Sequence, residues 1–260
     1  MKFNYHFNKF DTTKNYYFFD GEKYFEVSKD IPFEEYENLN NKYYQKSNNL
    51  LFKYLFDGEP FPYDKNFYKF VVIDFLTNEL NSKKNLLSFF NDLLGKVDIL
   101  ELKGKTVCFY YDILEYDLKN ILVAASDDFG MNFKTYISGK LYTDKPKGFQ
   151  TIFECYLQYG TNNSRLHTNN GDLILDLAKK DISKLDTIKP YILNKIYNDS
   201  QYEKLINSMF ENNLNVTKTA KDVYMHRNTI NNKIEFIKEE TSLNMQSFKD
   251  AVAMYLLITS

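Results

Sequence analysis

Residues 215–244, NVTKTAKDVYMHRNTINNKIEFIKEETSLN, carry two helical patterns separated by a short break. Asn215 suits the start of the first, because its side-chain oxygen can accept a backbone N–H that has no partner within the helix. That helix runs from Val216 to about Tyr224, and Val216, Ala220 and Val223 form its inner face. After Met225 the pattern restarts with His226 and Asn228 as polar start residues, and Ile230, Ile234 and Ile237 follow at i, i+4 and i+7. This spacing buries the isoleucines as one stripe and turns Arg227, Asn228, Thr229, Asn231, Asn232 and Lys233 mostly outward. The parts of a helix-turn-helix are present: small Ala220 where the helices approach, apolar Met225 in the turn, and polar side chains at the start of the second helix.

Charge is concentrated here. Between 216 and 238, Lys218, Lys221, Arg227, Lys233 and Lys238 face only Asp222 and Glu235, a local +3 on a chain whose formal total is -2. No whole-molecule field draws the chain to nucleic acid, so binding to double-stranded DNA must use this patch. Arg227 suits guanine or a phosphate, and Asn228, Asn231 and Asn232 suit adenine. Thr229, the N-terminal N–H groups, Lys218 and Lys233 suit phosphate. His226 has two readings, a DNA contact or a cap on backbone groups at the helix start.

Outward from this segment, Ser200 with Glu203 and Ser247 with Asp250 have capping-box spacing, so helices should begin there. Upstream, strand and helix signals alternate: FYKFVVIDFL (67–76), KKNLLSFFNDLL (83–94), DILELKGKTVCFYYDI (98–113), DLKNILVAASDDFG (117–130), NFKTYISGKL (132–141) and KGFQTIFECYLQYG (147–160). The order is β-α-β-β-α-β-α, with Lys103-Gly104-Lys105 as the turn of the central hairpin. It predicts an α+β fold, an antiparallel-sheet split βαβ unit with helices on one face, followed by an all-α domain. TNNSRLHTNNG (161–171) is the most loop-like segment, and from about 172 onward only helices are expected. Near the N-terminus, Asp20-Gly21 between two aromatic runs predicts a tight hairpin, and 34–56 reads as a helical linker. The expected organisation is an N-terminal hairpin and helical region of open role (1–65), an α+β domain (66–160), linker and lead-in helices (161–190) and the helix-turn-helix domain (191–260).

Composition sets the class. The chain has 260 residues, 43% hydrophobic and 26% charged, as in an ordinary soluble protein, and its 17% aromatic content argues against disorder and leaves the Tyr and Phe stripes for the core. Cys108 and Cys155 have neither metal-knuckle nor disulfide-framework spacing, and His6, His167 and His226 are scattered. No apolar run approaches a membrane span and the first residues lack a signal-peptide core, so the expected location is the cytoplasm. Asp74, Asp112, Asp127 and Asp128 read as surface or capping carboxylates. No catalytic residue, metal ligand or cofactor is assigned.

The run Asn215, Thr219, Ala220, Val223, Met225, His226, Arg227, Asn228, Thr229 resembles the C-terminal helix-turn-helix of the PucR/CdaR family of bacterial transcription regulators, whose hallmark is N-x-x-x-T-A-x-x-[LV]-x-[VM]-H-R-N-T. It extends upstream through IKPYILNKIYNDSQYEKLINSMFENN, a helical lead-in, and downstream through FKDAVAMYLLI, a closing apolar helix. The recognition region also resembles, more loosely, that of the Fis nucleoid protein. The family resemblance implies a degenerate GGDEF-like domain over 66–160. LELKGKTVCF, where the cyclase motif would sit, has no such carboxylates, although Asp74 occupies roughly the place of a metal ligand.

After His-Arg-Asn-Thr the family continues Leu-Arg-Tyr-Arg, where this chain has Ile230, Asn231, Asn232 and Lys233, which implies fewer phosphate contacts. The implied activity is that of a sequence-specific regulator binding a palindromic operator as a homodimer and answering to a small-molecule or protein effector. The competing readings are a nucleotide-binding or residual cyclase-like enzyme and a non-specific Fis-like architectural binder.

Overall fold

In the computed structural model, which describes residues 3–5, 9–76, 80–114, 116–128, 133–161 and 164–260, the chain opens with β1 (Asn15–Phe19) paired antiparallel to β2 (Tyr24–Ser28). Asp20 Oδ1 closes the turn by accepting from the backbone N–H of Glu22 and Lys23 at 2.9 and 3.0 Å. Helix α1 (Phe33–Lys42), the two-residue strand β3 (Tyr44–Gln45) and α2 (Leu50–Asp57) follow, and β3 completes a sheet of order β2-β1-β3. The expected helical linker is thus interrupted by a strand. Nor is α2 a spacer, because its Leu51, Phe52, Tyr54, Leu55 and Phe56 are buried in the main core.

The second sheet is built on β4 (Phe67–Phe75). After it come α3 (Leu80–Leu94), β5 (Val97–Leu102), β6 (Lys105–Tyr110), α4 (Leu118–Asp128), β7 (Phe133–Ile137), β8 (Leu141–Tyr142) and α5 (Lys147–Cys155). The order read from the sequence is recovered, with β8 as a short addition that pairs with the start of β4. β4 lies antiparallel between β6 and β7, and β5 and β6 form the predicted hairpin. Lys103 and Gly104 turn it at φ +50° and +69°. The positive φ of Gly104 favours glycine, and a Cβ there would also displace the Asn41 side chain of α1, whose Oδ1 would lie 2.0 Å away.

Helices cover both faces of this sheet, which corrects the expectation of one. Val71, Ile73, Cys108, Tyr110 and Phe133 pack against Leu86, Phe90 and Leu94 of α3 and Leu118 and Leu122 of α4. Tyr68, Phe70, Val72, Val107, Phe109 and Tyr136 point the other way, towards α2 and Phe149 and Phe153 of α5. The physical reason is visible in β4, where Phe70, Val71, Val72 and Ile73 are all buried in succession instead of alternating with polar residues. Each fully buried Phe or Val here contributes about 1.5–3 kcal/mol of transfer free energy.

Beyond a π-helical turn at Tyr156–Gly160, a further strand corrects the loop reading of 161–171. β9 (His167–Asn169) pairs parallel with β7 and extends the sheet to the order β5-β6-β4-β7-β9. Polar side chains hold it. Thr168 Oγ1 donates to Thr135 O at 3.0 Å, and the His167 ring lies between Thr135 Oγ1 (2.9 Å) and Ser126 Oγ (3.0 Å). The remainder is helical: α6 (Asn170–Lys180), α7 (Leu185–Ile192), α8 (Ser200–Glu211), α9 (Val216–Asp222), α10 (Arg227–Thr241) and α11 (Phe248–Thr259). Leu173, Ile174 and Leu177 of α6 and Ile188 and Ile192 of α7 are buried in one core with Ile230, Ile234 and Ile237 of α10. Among the described residues no helix is long and apolar enough to cross a membrane.

Candidate DNA-binding surface

The surface is assembled from α8 to α11, and each boundary has a local cause. Asp199, not Ser200, caps α8, because its Oδ1 accepts from Gln201 N and Tyr202 N at 2.9 and 3.4 Å. The chain then turns through Asn213 and Leu214, both at positive φ. Asn215 Oδ1 accepts from Lys218 N at 3.1 Å and starts α9. Thr219, Ala220 and Val223 are buried, and Ser208 Oγ on α8 donates to Asp222 Oδ2, tying the end of α9 to α8. Met225 N donates to Ala220 O at 2.9 Å while its side chain packs on the core, closing the turn.

α10 starts at Arg227. His226 is its N-cap residue, and Nδ1 accepts from Asn228 N at 3.2 Å. Ile230, Ile234 and Ile237 are at most 1% exposed, so the stripe predicted from spacing is the buried one. Helical geometry then fixes the outer face: Asn228, Asn232 and Glu235 line its middle, Arg227 and Asn231 one flank, and Thr229 and Lys233 the other.

Exposure divides the expected residues. Lys218, Arg227, Asn228, Thr229 and Asn232 are exposed, whereas Asn231 and Lys233 are half-buried. Lys233 folds back, its Nζ 4.4 Å from the centroid of the Tyr202 ring, which stacks on Phe236. The geometry exposes Lys221 on α9, already counted in the basic patch, and adds Tyr224, which spacing did not single out. Tyr224 stands 94% exposed in the turn at φ +54°, a conformation that bulky residues rarely adopt. The positive φ had no local signal, since glycine is the residue that marks such a turn.

The other polar groups singled out in the sequence have structural partners. Asp74 Oδ2 pairs with Lys105 Nζ at 2.8 Å, and Asp112 Oδ1 with Lys65 Nζ at 2.7 Å. Burial pushes the Cys108 thiol up to about 12 and Cys155 up to about 11, so neither is a ready thiolate. Burial, aided by Lys119, brings His167 down to about 4, which keeps its ring neutral between its two hydroxyl partners. His6 and the side chains of Asp127 and Asp128 lie outside the described residues. Among the described residues no group of three or more His, Cys, Asp or Glu side chains is gathered to hold a metal ion.

Comparison with known proteins bears on this same region. Residues 204–259 match the family described as the PucR C-terminal helix-turn-helix domain. Over 86 residues the chain is 31% identical to an uncharacterized protein, YxkF, of Bacillus subtilis (strain 168), a match that takes in 33% of this chain and 28% of that protein's length. Among solved structures it is similar to a regulator of polyketide synthase expression from Bifidobacterium adolescentis, at 14% identity and a TM-score of 0.38, covering 76% of this chain and 81% of that one. The buried stripe, the capped second helix and the family match converge on one statement: the chain carries a PucR-type C-terminal helix-turn-helix domain, a DNA-binding unit, over residues 204–259.

Proposed function

We propose that the protein is a cytoplasmic transcription regulator that reads a palindromic operator as a homodimer. The observation that carries this reading is the start of α10, where Arg227, Asn228 and Thr229 stand exposed on a capped helix end within a locally basic segment. A recognition helix reads base edges with its N-terminal residues, and its first N–H groups favour a phosphate. Arg227 then takes guanine or a phosphate, Asn228 and Asn232 read adenine, and Lys218 and Thr229 hold the backbone. Asn231 and Lys233 contribute from the flanks, Lys233 after leaving the Tyr202 ring. His226 acts by capping the helix that carries these groups.

The need for a dimer follows from charge. With Asn231, Asn232 and Glu235 on the outer face, one copy makes few phosphate contacts, so affinity must come from two. A two-fold pair places the recognition helices about one helical turn, ~34 Å, apart. The units before α8 supply the dimer contact and receive an effector of open chemistry. The Asp74–Lys105 pair favours this reading over a cyclase, because the carboxylate at that place is already engaged by a cation.

Footprinting on a site enriched from a random DNA pool tests the proposal. Wild type should protect paired half-sites, and Arg227→Ala and Asn228→Ala should each lose the protection while melting as the wild type does. Unchanged protection in both variants sinks the assignment of α10 as the recognition helix. Equal affinity for random and enriched DNA favours an architectural binder, since a specific regulator prefers its site by about 10³ or more.

A further inference from the structure

The far end of α10 is held by groups from the sheet unit and from the helices that follow it. A helix C-terminus leaves its last carbonyls without partners inside the helix. Here Asn194 Nδ2 donates to Glu240 O at 2.9 Å, and Asn170 Nδ2 donates to Thr241 O at 3.1 Å. Neither asparagine is local. Asn170 opens α6, and its Oδ1 accepts from Tyr136 Oη of β7 at 2.6 Å. Asn194 sits at φ +50° after α7 and donates also to Lys140 O at 3.0 Å.

Charge reinforces the contact. Glu240 is 1% exposed and Lys140 4%. Lys140 Nζ reaches Glu240 Oε1 at 3.1 Å and also pairs with Glu239. Tyr142 Oη donates to the Glu240 carboxylate, lying 2.9 and 2.8 Å from its two oxygens. An ion pair at this depth adds little net stability for the water it gives up, but removing one partner would strand the other charge in the core. Backbone fit adds a second constraint: a Cβ on Gly139, in the loop between β7 and β8, would lie 2.7 Å from Asn170 Nδ2 and 3.2 Å from Thr241 O. The loop can approach the helix end only because that residue has no side chain.

We propose that this clasp sets the pose at which α10 meets DNA, which makes Gly139, Lys140, Tyr142, Asn170 and Asn194 positioning residues for a surface none of them touches. The proposal rests on the DNA-binding reading above. The clasp connects β7, β8, α6 and the turn after α7 to the last turn of the recognition helix, so a displacement of the β7–β8 loop changes the angle of Arg227, Asn228 and Asn232. The coupling is carried by short, directional contacts between packed elements.

The test uses the full chain with Gly139→Ala, and Tyr142→Phe as the variant that keeps the volume and removes one hydroxyl. Two quantities are read: the ratio of affinities for the enriched site and for a random-sequence duplex, and amide hydrogen exchange over residues 237–241. A displaced helix should lose roughly tenfold in the ratio, with affinity for the random duplex unchanged and faster exchange in the last turn of α10. Loss of both affinities together marks general unfolding and, in Tyr142→Phe, overturns the positioning role. An unchanged ratio with unchanged exchange overturns the clasp. If the wild type shows no preference for any site, the regulator reading fails instead, and exchange alone decides whether the contacts hold the helix end.

Discussion

The two ends of α10 are built on opposite principles. The start is self-sufficient and open: His226 caps it from the adjacent residue, and Arg227, Asn228 and Thr229 project into solvent. The finish is dependent and closed, its carbonyls met by Asn170 and Asn194 and its Glu240 buried on Lys140 and Tyr142. A helix that reads DNA needs both. Side chains at the reading end must be unencumbered, and the helix axis must be fixed from elsewhere, because solvent-facing residues cannot fix it.

Substitutions should therefore separate the ends by what they damage. The largest effect on stability is expected at the closed end. Lys140→Met leaves the buried Glu240 carboxylate with the Tyr142 hydroxyl as its hydrogen-bond partner and Lys69 as the neighbouring cation, and should cost about 3 kcal/mol in urea unfolding. A loss below about 1 kcal/mol would mean that the pair is more hydrated than its burial indicates. At the open end Asn228→Ala should do the reverse, lowering affinity for the enriched site by about 1–3 kcal/mol while stability changes by no more than about 0.5 kcal/mol. If both quantities fell together, the contrast between the ends would break.

Two smaller effects sharpen it. His226→Ala removes the cap and should destabilise the fold by about 1 kcal/mol, measured by thermal melting without DNA. A full loss of DNA binding with unchanged melting would instead place His226 against the DNA. Lys233→Gln tests whether the flank reaches the phosphates. Losing one phosphate contact lowers the slope of log affinity against log salt by about 0.9, and an unchanged slope would show that Lys233 stays on the Tyr202 ring.

What the sequence discloses follows the same division. Elements whose pattern is apolar and periodic were legible: the β-α-β-β-α-β-α order, the Lys103-Gly104 turn, and the isoleucine stripe of α10. The exposed start of α10 was legible as well, because caps and helical spacing are local. Contacts between distant polar residues leave no such trace. β9 is three polar residues, His167-Thr168-Asn169, held by hydroxyl and imidazole bonds, and it reads as loop. Lys140 and Glu240 are one hundred positions apart, and nothing around either announces the other. The second covered face of the sheet was hidden for a related reason, since a run such as Phe70–Ile73 fits a strand buried on either or both sides.

The glycine at 139 has a practical meaning for anyone who would move this helix-turn-helix elsewhere. The matched domain begins at residue 204, yet the groups that finish its helix α10 come from residues 136 to 194. A fusion cut at the domain boundary would carry away Glu240 without Lys140, and two open carbonyls without their asparagines. The portable unit is longer than the motif, and a graft that keeps the end of α10 partnered should include the chain from β7 onward.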